Sequence, residues 1–209
     1  LSHNLKRKQN RVRVFEMARV FLKTATGKVE QPEKLAGLAY GTRFAEQWSY
    51  QAEKVDFFDV KADIEVLFSP RQLTFRRAAH PALHPGRCAE VLLDGKVVGI
   101  LGELHPQWRQ SWDLPQAPVM FELELDAVLQ RVVPQFKPVT KHQAVERDLA
   151  VVVAERVTHA DVMGAVEQAV PGGMLRSAVL FDVYRPKALR AGEEAPAGGL
   201  APGEKSLAV

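Results

Sequence analysis

Three histidines that each precede a proline are the residues with the clearest capacity for metal chemistry. His80 and His84 lie four positions apart, and His105 follows further along the chain. Imidazole nitrogens are common Zn²⁺ ligands, so this set would suit a histidine-dependent metallohydrolase. Proline, however, restricts the residue before it to extended conformations, and the spacing therefore does not bring two imidazoles onto one helical face. We interpret the three histidines as loop-forming residues and keep the metallohydrolase as an alternative hypothesis.

A second group of possible ligands is acidic and falls within one segment: Asp56, Asp59, Asp63 and Glu65. Apolar residues recur at helical spacing through this segment until Pro70 ends the pattern. Three carboxylates on one helical face, without a histidine or a fixed loop, are weak evidence for a metal site. We interpret the acids as the N-cap and the solvent-facing side of an amphipathic helix, with Asp56 as the cap.

Nucleophilic and nucleotide-binding patterns are missing from the sequence. The single cysteine, Cys88, excludes an internal disulfide and a multi-thiolate zinc site, and it lies in an alternating pattern typical of a strand. The chain has no Gly-x-Ser-x-Gly elbow, no Gly-x-Gly-x-x-Gly fingerprint and no phosphate-binding Gly-rich loop. The sequence therefore predicts no catalytic residue, no metal site and no cofactor within this stretch.

Basic residues are the remaining candidates for binding chemistry. The net charge is only +3, so the chain as a whole is not strongly basic. A basic run at residues 6–13 suits either phosphate contacts or a solvated helix end. In the last third of the chain, basic residues border a predicted sheet in which alternation places Phe181 in the core and Tyr184 outward. An outward aromatic ring can stack on a nucleic-acid base.

The elements that must position these residues indicate an α+β chain. A hairpin is predicted around Asp94 and Gly95, because Asp-Gly favours the tight turn that joins two strands. Helices are expected after the Asp56 cap, over a short stretch that Asp126 caps and that runs through Leu129, and over 158–169, where Thr158 and Asp161 resemble a capping box. Predicted strands span residues 11–22, 33–42, 72–77, 87–93, 96–103, 119–125, 148–153 and 174–185, and a last strand begins at Lys205.

The organisation indicates two domains, 1–139 and 140–209. Residues 132–141 contain two prolines and no periodicity, which is typical of an interdomain linker. The following strand–helix–strand–loop–strand order is the first part of a ferredoxin-like βαββαβ unit, here without its second helix and last strand. The loop at residues 186–204 has the composition of a flexible connection. Because the chain also lacks an initiator Met, we expect it to be a fragment of a longer protein.

Composition is that of an ordinary soluble protein. The hydrophobic fraction is 46% and the charged fraction 25%. No apolar run approaches the roughly 20 residues that span a bilayer, and the first residues do not form a signal peptide. We therefore expect a cytoplasmic protein without a membrane partner.

Several residue strings, in the same order, resemble the C-terminal part of the bacterial phenylalanyl-tRNA synthetase beta subunit. The strings span residues 13–21, 55–61, 80–86, 102–106, 147–153, 180–185 and 205–208. The resemblance implies a class II-synthetase-like domain at 1–139, N-terminally truncated and non-catalytic, followed by a C-terminally truncated ferredoxin-like anticodon-binding domain. As the resemblance implies, the best candidates for tRNA contacts are Arg147, Arg185, Lys187 and Lys205.

The resemblance also implies the partners. The whole enzyme would be a phenylalanine–tRNA ligase that uses ATP and magnesium, with a catalytic alpha subunit in a heterotetramer of two alpha and two beta subunits. This chain would support the alpha subunit and bind the tRNA for phenylalanine without catalysing a reaction itself. The alternative is a ferredoxin-like protein-interaction module on a β-rich scaffold, with no role in RNA binding.

Overall fold

The protein consists of two compact units, Leu1–Gln135 and Phe136–Val209, which we call unit 1 and unit 2. A computed structural model describes residues 1–133, 136, 143–185, 200–201 and 203–209. Both units combine helices with antiparallel sheets, which confirms the predicted α+β class. Most of the predicted linker at 132–141 lies outside the described residues, and its role as a linker stays a prediction.

Unit 1 is built on a six-stranded antiparallel sheet. In chain order its strands are β1 (Val12–Arg19), a short ribbon of β2 (Leu22–Lys23) and β3 (Val29–Glu30), then β4 (Glu33–Tyr40), β5 (Leu73–Arg77), β6 (Leu83–Leu93), β7 (Lys96–Leu104) and β8 (Val119–Glu124). The order across the main sheet is β1-β4-β8-β7-β6-β5, and β2 pairs only with β3. All neighbouring strands are antiparallel.

One face of this sheet carries the core of unit 1. The helix α2 (Phe57–Phe68) follows α1 (Ser2–Lys6) in the chain and buries Val60, Ile64 and Phe68, which recur every four residues. These side chains join one apolar cluster with sheet residues such as Leu101 and Leu123. Each fully buried side chain of this size contributes roughly 1.5–3 kcal/mol to folding. The apolar spacing that predicted the helix therefore also identifies the face that packs.

The β6–β7 hairpin confirms the predicted turn, and its first strand is longer than predicted. Asp94 and Gly95 both have positive φ, of 50° and 78°, as the two-residue turn favoured in hairpins requires. Strand β6 begins at Leu83 rather than at residue 87, and a register shift separates Leu83 from Cys88. Irregular pairing of this kind hides the alternation of the first residues, because an extra residue reverses which side chains face the core.

The short helices show where local signals fail. The helix α3 (Pro106–Ser111) was not predicted, since His105 is not a usual N-cap residue, although its Nδ1 accepts a hydrogen bond from the Gln107 backbone N–H. Proline at the first helical position fits its start. The helix α4 (Leu125–Leu129) begins with Glu124 as its N-cap residue, so the prediction that Asp126 caps it is wrong.

The described residues of unit 2 form a three-stranded antiparallel sheet and one helix. Its elements are β9 (Ala150–Ala154), α5 (His159–Ala169), β10 (Asp182–Tyr184) and β11 (Glu204–Ala208), with the sheet order β10-β11-β9. Strand β10 is much shorter than the predicted strand at 174–185. Asp182 pairs with Ala208, the last residue of β11, so earlier residues lie beyond the end of their partner strand. Most of the predicted loop at 186–204 lies outside the described residues.

Candidate nucleic-acid interface

The sheet of unit 2 has two unlike faces. Directly opposed residues of an antiparallel pair point to the same side, so the register assigns each residue to a face. Lys205 and Leu207 lie on one face, and they are the buried residues in the described part of unit 2. The other side, which we call the open face, carries Val152, Ser206 and Tyr184 in one row across the three strands.

Tyr184 gives the open face an aromatic platform. Its side chain is 57% exposed, and its register partner Ser206 separates it from the exposed Val152. Adjacent strands lie about 5 Å apart, so the row presents a ring, a hydroxyl and an aliphatic group side by side. An exposed ring on the face of a sheet is suited to stacking on an unpaired base. The prediction that Tyr184 points outward is confirmed.

The prediction that Phe181 lies in the core is wrong. Phe181 is 60% exposed, and it precedes β10 instead of lying within it. Its backbone N–H still bonds to the Ala208 carbonyl at 2.9 Å, but the ladder begins only at Asp182. The alternation rule applied to Phe181 assumed a strand that does not extend that far.

A charged cluster closes one end of this sheet, next to Tyr184. Arg185 forms a fork on the Glu155 carboxylate, with Nε 3.1 Å and Nη2 2.9 Å from Oε1. Lys205 donates from Nζ to the Glu155 backbone carbonyl at 2.9 Å, and Nζ lies 4.0 Å from Glu155 Oε1. Two cations therefore share one carboxylate, and the cluster retains one net positive charge.

Pairing within the cluster shifts the pKa values of Glu155 and Arg185, and both shifts favour the charged form. The hydrogen bond from Arg185 lowers the pKa of Glu155 below its ordinary value, and the charges of Arg185 and Lys205 lower it further. In return, the hydrogen bond to Glu155 raises the pKa of Arg185. The pair is about half exposed on both sides, so water screens it and it is easily exchanged for another partner.

The helix start beside this cluster is fixed by a capping box. The Thr158 hydroxyl accepts from the Asp161 N–H at 3.2 Å, and the Asp161 carboxylate accepts from the Thr158 N–H at 2.8 Å. The predicted capping arrangement is thus confirmed. The carboxylate of Asp161 has its pKa lowered first by the bond from the Thr158 backbone N–H and then by a bond from the Thr158 hydroxyl at 2.7 Å. Because Glu155 precedes this cap by three residues, the cap helps to hold its backbone in place.

The four residues predicted to contact tRNA are placed differently. Arg185 and Lys205 meet at Glu155, while Arg147 is exposed just before β9. Lys187 lies outside the described residues. Lys205 is only 8% exposed, and its ammonium group is bound within the fold. Sequence reasoning missed Glu155, because nothing local to it signals two partners so distant in the chain. Contact of any of the four with RNA stays a prediction.

The three His-Pro histidines share one structural role. In each, Nδ1 accepts the backbone N–H of the residue two positions later, at 3.2 Å for His80, 3.0 Å for His84 and 3.1 Å for His105. Each ring therefore closes a turn across its proline. The interpretation as loop-forming residues is confirmed for His80 and His105, which lie outside the strands, but is wrong for His84, which lies in β6. The geometry does not favour the metallohydrolase alternative.

The acidic side of α2 is occupied by caps and ion pairs. Asp56 accepts from the N–H groups of Phe58 and Asp59, as predicted. The other three acids pair with bases: Asp59 with Arg43 at 2.6 Å, Asp63 with Arg13 at 2.7 Å and Glu65 with Lys61 at 2.5 Å. Within the described residues, no group of three or more His, Cys, Asp or Glu side chains is placed to hold a metal ion.

The face of the unit 1 sheet opposite α2 holds a groove of about 490 Å³. Its floor is apolar and includes Leu38, Ile100 and Met120. Among the described residues, its charged lining consists of Glu16 and Glu122, with His80 at the margin. The groove is thus apolar and acidic in character. No helix in the described part of the chain has the length and apolarity needed to cross a membrane.

Comparison with known families assigns both units. Residues 1–125 match the phenylalanyl tRNA synthetase beta chain CLM domain, and residues 140–207 match the ferredoxin-fold anticodon binding domain. These matches support the tRNA-ligase interpretation rather than the generic interaction module.

Curated relatives agree, and each is named phenylalanine–tRNA ligase beta subunit. The chain is 52% identical to the one from Chromobacterium violaceum over 208 residues, which cover 100% of this chain and 25% of the relative. It is 46% identical to the one from Cupriavidus pinatubonensis, covering 99% and 26%, and 45% identical to the one from Neisseria meningitidis serogroup A, covering 100% and 25%. The chain therefore spans about a quarter of these relatives' length. The resemblance is confirmed: this chain belongs to the phenylalanine–tRNA ligase beta-subunit family.

Proposed function

We propose that this chain is a non-catalytic, tRNA-binding and structural part of a phenylalanine–tRNA ligase. Unit 2 holds the anticodon arm of the tRNA for phenylalanine, and unit 1 supports the catalytic alpha subunit. The observation that carries the proposal is the exposed Tyr184 ring on the open face of unit 2, with the positively charged cluster of Arg185, Glu155 and Lys205 at the adjacent end of the same sheet. It combines the two features that bind a single-stranded loop, a stacking ring and a cation for the backbone.

In this proposal Tyr184 and Arg185 have separate tasks. The Tyr184 ring stacks on an unpaired anticodon base, while Arg185 leaves or shares Glu155 to bind a phosphate. The exchange costs little, because the Arg185–Glu155 pair is half exposed. Lys205 stays on Glu155 and partly neutralises it, so the departing arginine does not leave an isolated carboxylate. Arg147 and Lys187 are proposed as further phosphate contacts.

Unit 1 is proposed to be a class II-synthetase-like domain that is catalytically inactive. Its six-stranded antiparallel sheet, with a helix packed on one face, supports this assignment. The groove on the other face is the place where a sheet of this kind would hold a substrate. Its charged lining consists of Glu16 and Glu122, of which Glu122 pairs with Lys34 at 3.6 Å, and among the described residues the lining offers a triphosphate no Lys or Arg, so these residues do not fit ATP. We therefore derive no reaction step in this groove.

In this proposal the whole enzyme supplies the catalytic activity that this chain does not. We propose that it works in the cytoplasm as a heterotetramer of two alpha and two beta subunits, with ATP and magnesium used by the alpha subunit. The basis is the shared name of the relatives, which designates a beta subunit of a ligase for phenylalanine and tRNA.

Binding of tRNA to the 209-residue chain tests the proposal. The dissociation constant is measured for phenylalanine tRNA and for a non-cognate tRNA at low and at physiological salt. We expect a preference for the cognate tRNA and weaker binding at higher salt, since phosphate contacts release counterions. The Arg185→Ala variant should show a shallower dependence on salt than the wild type. Binding that is independent of both salt and tRNA identity would contradict the proposal.

A further inference from the structure

The carboxylate of Glu155 occupies the edge of the Arg185 guanidinium that is best suited to a phosphate. Arg185 Nε lies 3.1 Å and 3.3 Å from the two carboxylate oxygens, and Nη2 lies 2.9 Å from Oε1. The planar fork of an arginine matches a pair of oxygens on a carboxylate and on a phosphate equally well. Glu155 and an RNA phosphate therefore compete for the same donors.

The backbone of Glu155 is fixed on both sides, which keeps its carboxylate beside Arg185. The Glu155 N–H donates to the Gly203 carbonyl at 2.8 Å, and the Glu155 carbonyl accepts from Lys205 Nζ at 2.9 Å. A bond from the Val157 N–H to the Ala154 carbonyl closes the turn that follows. A competitor that is already anchored loses less freedom when it pairs, so it opposes every phosphate that approaches Arg185.

The other charges at this end of the sheet do not take part in this competition. Three further acids accept backbone N–H groups instead: Asp161 from Thr158, Asp182 from Val183 and Glu204 from Ala201. Arg156 follows Glu155 directly and is exposed, and within the described ranges it forms no ion pair. Arg156 therefore adds attraction for RNA, while Glu155 is the acid that opposes a phosphate at Arg185.

The competition is weak enough for a phosphate to displace the carboxylate. The Arg185 and Glu155 side chains are both about half exposed, so water screens their attraction. The buried Lys205 does not have to move in the exchange, because its hydrogen bond is to the backbone carbonyl of Glu155. The carboxylate therefore reduces the affinity for RNA without preventing binding.

We propose that Glu155 limits the affinity of unit 2 for RNA by competing with phosphates for Arg185, and that it thereby speeds release of the bound tRNA. This inference rests on the proposed function, since it takes Arg185 as a phosphate contact. It adds a residue that weakens tRNA binding to the residues that strengthen it.

The test compares Glu155→Gln with Glu167→Gln in the complete 209-residue chain. Both substitutions remove one carboxylate charge at nearly constant side-chain size, but Glu167 is exposed on α5, and in the described part of the chain Arg185 pairs with Glu155. The dissociation constant and the dissociation rate of phenylalanine tRNA are measured at low and at physiological salt. The rate is included because changes in affinity appear mostly in dissociation.

We expect Glu155→Gln to bind about 2- to 5-fold more tightly than the wild type, mainly through slower dissociation, as the small contribution of an exposed ion pair implies. Its affinity should also fall more steeply with salt. In the wild type the carboxylate that Arg185 leaves attracts a cation, and this offsets the counterion released from the phosphate. At physiological salt Glu167→Gln should bind like the wild type, because the solution screens a distant charge.

A double variant shows whether Glu155 acts through Arg185. In the Arg185→Ala background, the further change Glu155→Gln should leave the affinity nearly unchanged, because the carboxylate then has no arginine to withhold. Gain of affinity to the same extent in both backgrounds overturns the inference. Glutamine keeps the backbone carbonyl that binds Lys205, and all binding is measured below the unfolding midpoint of each variant.

The remaining outcomes separate this inference from the proposed function. Unchanged or weaker binding by Glu155→Gln overturns the inference, and weaker binding would make Glu155 a residue that positions Arg185. Equal tightening by Glu167→Gln also overturns it, since the effect would then be one of total charge. These results leave the proposed function intact as long as Arg185→Ala weakens binding. A wild type that does not bind tRNA, or an Arg185→Ala variant that binds like the wild type, overturns the proposed role of Arg185 together with this inference.

Discussion

Substitution of Lys205 by Met separates a structural role of this lysine from a role in RNA binding. The Lys205 side chain is nearly buried, and its Nζ donates to the Glu155 carbonyl at 2.9 Å. Methionine keeps an unbranched apolar stem of similar length but removes the donor and the charge. Hydrogen bonds from charged groups contribute roughly 1.5–3 kcal/mol. For a unit of about this size each kcal/mol shifts the unfolding midpoint by about 4–8 °C.

The positions of the tryptophans allow the stability lost in Lys205→Met to be assigned to one unit. All three tryptophans, Trp48, Trp108 and Trp112, lie in unit 1. Tryptophan fluorescence therefore reports unfolding of unit 1, while far-ultraviolet circular dichroism reports both units. We expect Lys205→Met to lower the midpoint of one dichroism transition by several degrees and to leave the fluorescence transition unchanged.

The control for this prediction is Arg185→Met. Arg185 shares the same carboxylate but is more than half exposed, so its removal should change the midpoint little. If Lys205→Met unfolds at the wild-type temperature, the structural role of the lysine is refuted. If it shifts the fluorescence transition equally, the assignment to unit 2 is refuted.

Three further predictions concern pH, a backbone position and a helix cap. Because pairing lowers the pKa of Glu155, the paired carboxylate stabilises the folded state above the ordinary carboxyl pKa, and this stabilisation is lost as pH falls through the lowered pKa. Glu155→Gln should therefore flatten this part of the stability–pH curve, measured by thermal unfolding. An unchanged curve would contradict the pairing. Gly41 has a φ of 93°, and an added Cβ would lie 2.0 Å from the Asn10 carbonyl oxygen. Gly41→Ala should therefore destabilise unit 1 by roughly 2 kcal/mol or more, measured by urea unfolding followed by fluorescence. Gly27→Ala, which is also at positive φ but has open space around it, should destabilise unit 1 less. Thr158→Ala should cost about 0.5–2 kcal/mol through loss of the α5 cap, and Thr158→Ser should restore most of it; equal stability of the two variants would count against the cap.

Sequence reasoning succeeded where the signal was local. The Asp56 cap with its apolar spacing, the Asp94–Gly95 turn and the Thr158 capping box each depend on residues a few positions apart, and each has the expected form in the structure. Side-chain chemistry within a few residues determines these features, so no knowledge of the rest of the fold was needed.

Sequence reasoning failed where distant segments decide the outcome. The strand expected from residue 174 begins only at Asp182, because its length depends on where β11 ends. The Glu155 cluster joins residues from three separate strand ends, and no local pattern indicates that Lys205 is buried against it.

The central claim is that the open face of unit 2 binds the anticodon arm, and one binding measurement tests it most directly. The anticodon stem-loop of phenylalanine tRNA is titrated against the wild-type chain, Tyr184→Ala and Phe181→Ala. Both aromatic residues are exposed to a similar extent, but only Tyr184 lies in the row across the open face. Stacking on a base contributes roughly 1–3 kcal/mol, so Tyr184→Ala should weaken binding by about 5- to 150-fold, while Phe181→Ala binds like the wild type. Equal affinity of Tyr184→Ala and wild type would contradict the account.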